Sequence, residues 1–76
     1  MKHKEFWANV VGNLKLVLPK HAINAWFEPL NAIAISEGNI LLEVPNQFFC
    51  EWIDSHYKGE LITSIQKVDK AILGYR

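Results

Sequence analysis

Cysteine is almost absent from this chain. Cys50 stands alone, so no intramolecular disulfide can form, and a single thiol suits a reducing compartment. Neither sign of charge is in excess. Eight Lys and Arg balance eight Asp and Glu, for a formal charge of zero. The chain therefore has no surplus of cations with which to neutralise a phosphate backbone. No stretch approaches the ~18–20 apolar residues that cross a bilayer. The charged start, Met1-Lys2-His3-Lys4-Glu5, leads into no apolar run of signal-peptide length. A soluble, cytoplasmic protein with no membrane partner is expected. There is no Gly-x-x-x-x-Gly-Lys-Ser/Thr loop for a nucleotide. No His, Cys, Asp or Glu set has ligand spacing, so neither metal nor cofactor is expected. Cys50 with His21 or His56 has no recognisable motif spacing. No nucleophile, base and orienting group assemble into a catalytic site, and the chain reads as a non-enzyme.

Aromatic residues, by contrast, are plentiful. The 76 residues include four Phe, three Trp and two Tyr, each able to bury about 150–250 Å². A chain this short forms one domain, residues 1–76, and buries only about 60–65% of its unfolded surface. Its aromatics supply the core density that a metal or disulfide would otherwise have to replace.

Along the chain, Trp7, Val10, Val11, Leu14, Val17 and Leu18 recur at spacings of three and four. They predict an amphipathic helix from about Lys4 to Leu18, with Phe6 and Leu16 off its main stripe. Pro19 ends it, because the residue before proline is pushed out of the helical region. Pro19 also suits the first turn of a second helix, which runs to about Glu28, presents Ile23, Trp26 and Phe27, and stops at Pro29. Two β-rich runs, Leu30–Ile35 and Ile40–Val44, flank Ser36-Glu37-Gly38-Asn39 and read as a hairpin. Pro45 closes the second strand. Asn46 is placed to cap a third helix, in which Phe49, Ile53, Tyr57, Leu61 and Ile65 recur as far as Val68. Gly59 is expected to mark a bend in it. Residues 71–76 have strand composition and can add a third strand. The class is α+β, in the order α-α-β-β-α-β: two N-terminal helices, a hairpin, a long third helix and a short final strand.

One ordered set of residues says more. Trp7, Leu18-Pro19, Trp26-Phe27, Pro29-Leu30, the Gly38 hairpin, Val44-Pro45-Asn46 with Phe48, then Trp52-Ile53 and Tyr57 together resemble the N-terminal domain (domain I) of DnaA, the bacterial chromosomal replication initiator. The resemblance covers about residues 5–76. It implies a KH-like fold and a protein-docking role at the head of a larger ATPase. It also implies weak self-association, docking of the replicative helicase, and binding of initiator regulatory proteins. In that family the residue matching Trp7 supports self-association through the first helix, and the aromatic matching Phe48 contacts partners. The start of the second helix lies near the start of the third. His21, Ala22, Ala25, Asn46, Phe48 and Phe49 would then form one patch. Ala22 stands where well-known members carry an acidic, helicase-contacting residue, which makes this patch the more apolar.

The residues themselves support two exposures. Phe48, Phe49, Trp52, Ile53 and Tyr57 spread over an arc of about 180°, wider than a core-facing stripe needs. Phe48, at one margin, is expected at the surface, while Trp26 and Trp52 are assigned to the core. Phe6 and Trp7 point about 100° apart on a helix, so at least one is expected to be exposed and open to self-association. Two other readings stand beside docking. One is a weak single-strand binding module of KH type, using Lys2, Lys4 and Lys15. Against it, Gly12, Gly38, Gly59 and Gly74 include no Gly-X-X-Gly pair of the kind that clamps a backbone in KH domains. The other is a stand-alone regulator that mimics the initiator domain.

Overall fold

The computed structural model describes residues 2–72 and 74–75. Helix α1 (His3–Leu14) places Phe6, Trp7, Val10 and Leu14 inward. It stops at Leu14, short of the expected Leu18. Pro19 excludes Leu18 from helical geometry, and the chain tightens first. Leu16 N–H donates to the Asn13 carbonyl and Val17 N–H to the Leu14 carbonyl, each spanning three residues. Leu16 and Val17 are consequently left exposed.

The expectation for Phe6 and Trp7 is corrected. Both are buried, Phe6 at 1% and Trp7 at 8% exposure. A single neighbour would cover only one of the two, but α1 packs against α4 (Lys58–Val68) and also against β1 (Asn31–Ser36). Two neighbours at an angle bury a wider arc than one.

Pro19 sits in extended conformation as the cap of α2 (Lys20–Ala22), one place earlier than the expected first turn. The chain then passes directly into a π-helical turn (Ile23–Phe27), closed by a bond from Glu28 N–H to the Ile23 carbonyl. Ile23 and Phe27 are buried here, and Pro29 cannot extend the turn.

Strands β1 and β2 (Asn39–Glu43) form an antiparallel hairpin. Its turn is shorter than the expected four residues. Ser36 pairs with Asn39, leaving Glu37 and Gly38, both at positive φ (52° and 77°). This is the signature of a two-residue turn whose twist matches the strands. Between Ala32 and Ala34 the register slips by one residue. Ile33 is the extra residue of this bulge, and its side chain is 53% exposed. Strand β3 (Gly74–Tyr75) joins parallel to β2, giving the order β1-β2-β3. A Cβ at Gly74 would lie 3.0 Å from Asn39 Oδ1, so this close pairing favours glycine.

The expected long third helix is two helices, α3 (Gln47–His56) and α4, broken at Tyr57 (φ −126°, ψ 8°). The break falls two residues before Gly59. The apolar repeat explains it. Phe49, Ile53, Tyr57, Leu61 and Ile65 are four apart, and each such step drifts about 40° around a helix of 3.6 residues per turn. Over four steps a straight helix would carry the stripe to its far side. The break resets the phase, so that Ile53 and then Leu61 and Ile65 are all buried. The Tyr57 ring meets Phe27 edge-on, centroids 5.7 Å apart.

Gly12 and Gly59 lie within helices, and a Cβ at either would have no atom within 4 Å. Gly12→Ala is expected to raise stability by about 0.5–1 kcal/mol, and Gly59→Ala, in the first turn of α4, by less. Urea unfolding midpoints measure this. A loss at either site would mean its glycine serves something besides helix backbone.

Candidate docking surface

Pro45 and Asn46 position α3. Asn46 is extended, and its Oδ1 accepts from Phe49 N–H at 3.4 Å, satisfying one of the free donors of the first turn. That start turns Phe48 outward, where it is 58% exposed, and Phe49 half inward.

Trp26, from the π-helical turn, reaches across to this helix. Its ring stacks on Trp52 at 4.9 Å and 13°, meets Phe49 edge-on at 5.1 Å, and lies 5.7 Å from Phe48. Phe48 also leans on Trp52 at 5.8 Å. On the far side of the ledge, His56 lies over Trp52 at 4.1 Å. Each well-placed aromatic pair contributes about 0.5–1.5 kcal/mol beyond its burial, so the base under Phe48 is stiff. The Trp52 Nε1 donor is buried without a hydrogen-bond partner among the described residues. Such an orphan donor costs free energy, which the stack has to offset.

Behind α3, the Tyr75 hydroxyl donates to the Asp54 carboxylate. Burial, then that bond, pushes the Tyr75 phenol well above its ordinary range. Among the described residues, no three His, Cys, Asp or Glu side chains gather where a metal could be held. No described helix is long and apolar enough to cross a membrane.

Residues 4–67 match the family described as the DnaA N-terminal domain. The chain belongs to that family. It is 31% identical over 65 residues to the chromosomal replication initiator protein DnaA of Geotalea daltonii, covering 86% of this chain and 15% of that protein. The DnaA of Wolbachia sp. subsp. Brugia malayi is 31% identical over 70 residues, covering 92% and 15%. That of Flavobacterium psychrophilum is 30% identical over 61 residues, covering 80% and 13%. The chain thus spans about one seventh of the length of these relatives.

Within this DnaA N-terminal domain, the six patch residues divide. His21, Ala25, Asn46 and Phe48 are exposed and Phe49 is half-buried. Ala22 is 2% exposed and is corrected from surface to core. Ala22, Ile23 and Phe27 fall within about 140° of one another on a helix, and all three turn inward. The ring contacts from α3 reach Trp26, at the end of the second helical segment, and not its start. Trp26 and Trp52, assigned to the core, are half-buried and build the ledge. His56 was overlooked, although its place four residues after Trp52 puts it on the same side of the helix. Cys50 is exposed.

Proposed function

We propose that this domain is a non-catalytic docking module of a bacterial replication initiator, with a KH-like layout and a cytoplasmic place of work. Its contact surface is the aromatic ledge of Phe48, Phe49, Trp26 and Trp52, and the exposed Asn46, Ala25 and His21 are included in the same reading. The observation that carries this reading is a large apolar side chain, Phe48, held at the surface on a stiff aromatic base. Large apolar anchors beside tryptophan are the side chains that dominate interface energy.

The partners are the replicative helicase and initiator regulatory proteins. One module binds at about micromolar strength, and several modules on one assembly strengthen the attachment by multivalency. Weak self-association belongs to the same reading. Phe6 and Trp7 act in it from beneath, by fixing α1 on α4 and β1. The side chains available for contact are those on the outer side of α1, and Leu16 and Val17 after it.

An NMR titration with purified replicative helicase tests the docking surface. Shifts are expected at Phe48, Phe49 and the indole N–H groups of Trp26 and Trp52. Charge reversal at Lys2, Lys4 and Lys15 is expected to leave the affinity unchanged. Shifts confined to the hairpin turn or to the lysine-bearing edge of α1 would reject the assignment.

A further inference from the structure

Helix α3, which carries the ledge, is held to the domain at few points. Ile53 is the one buried residue among its ten. Beside it, between α3–α4 and β2–β3, lies an open groove of about 280 Å³, lined by Val44, Ile53, Leu61 and Ile62 and also by the polar Asp54 and Lys58. At its C-terminal end α3 is separated from α4 by the non-helical Tyr57. The stack on Trp26 holds one flank. On the other flank a side-chain hydrogen bond crosses from the sheet, from the Tyr75 hydroxyl to the Asp54 carboxylate. Among the described residues, strand β3, which carries Tyr75, is two residues long and pairs with β2 at Asn39 and Ile40. Helix α4 is anchored differently. It buries Leu61, Ser64 and Ile65 and packs along α1.

From this arrangement we infer that α3 opens as a unit separate from α4, hinged at Tyr57 and latched by the Asp54–Tyr75 bond. Segments with few buried contacts open locally at a small fraction of the global unfolding free energy. Phe48, Phe49 and Trp52 all ride on α3, so the latch sets how the ledge is presented to a partner. That last consequence rests on the docking reading. The opening itself does not.

Amide hydrogen exchange of the whole 76-residue chain, followed by NMR with no partner present, tests the hinge and the latch. Amides in α3 are expected to exchange at least about tenfold faster than those in α4. Tyr75→Phe and, independently, Asp54→Ala each remove the latch without touching the core. Each is expected to speed α3 exchange roughly fivefold, which is about 1 kcal/mol at about 1.4 kcal/mol per tenfold. Exchange in α1 and α4 is expected to stay within about twofold of the parent. The inference is overturned if α3 and α4 exchange together at one rate. It is overturned equally if both variants leave α3 unchanged, or if they speed all helices alike. A failed helicase titration alongside the expected exchange rates would reject the docking reading alone.

Discussion

Phe6→Ala is expected to unfold most of this domain at 37 °C. Phe6 is 1% exposed, on a helix that packs against both α4 and β1. Truncating a fully buried Phe costs about 3–5 kcal/mol, part transfer energy and part cavity. A domain of this size has about 5–15 kcal/mol at best and commonly sits near the lower end. The loss therefore approaches the whole stability. Urea unfolding followed by far-UV circular dichroism measures it. A cost under about 1 kcal/mol would mean that Phe6 is a surface residue after all, and the packing of α1 described above would be wrong. The sequence argument, which left Phe6 off the stripe, leads to that smaller cost, so the experiment separates the two.

Phe48→Ala is expected to do the reverse: to spare the fold and remove the function. More than half of the ring is exposed. What it loses inside the domain is its contact with Trp26 and Trp52, for a cost of about 1–1.5 kcal/mol. In a partner complex the same ring is an anchor, and losing an anchor costs about 2 kcal/mol or more, which is over tenfold in affinity. Trp52→Ala should fall between Phe6→Ala and Phe48→Ala in stability, because Trp52 is half-buried yet carries the stack. Calorimetric binding to the helicase, with denaturation curves for each variant, resolves the two effects. If Phe48→Ala destabilises as much as Phe6→Ala, the ring belongs to the core. If it binds as tightly as the parent, the ledge is not the contact surface.

Local chemistry was enough for most of the element order. The hairpin at Gly38, the end of the helical stretch before Pro19 and the cap at Asn46 each follow from one residue's backbone preference or hydrogen-bonding capacity. The exposure of Phe48 was legible as well, because the aromatic arc on α3 is wider than one neighbouring surface can cover. The break at Tyr57 was written in the four-residue repeat, whose drift no straight helix can sustain, although Gly59 drew attention to the wrong residue. The burial of Ala22 was legible too, although it was expected at the surface: Ala22, Ile23, Trp26 and Phe27 fall within about 140° of one another on a helix.

By itself, then, the sequence determined the order of helical and extended segments, and that an aromatic residue had to remain at the surface of α3. Those outcomes depend on interactions within a few residues along the chain. The tertiary structure alone decided that Phe6 and Trp7 are both buried and that Trp26 joins Trp52 to support Phe48. It also decided that Asp54 meets Tyr75, 21 residues further along the chain. Each of these depends on the angle at which one element meets another. Burial is a property of all the neighbours a side chain acquires, and residues far apart in sequence supply them.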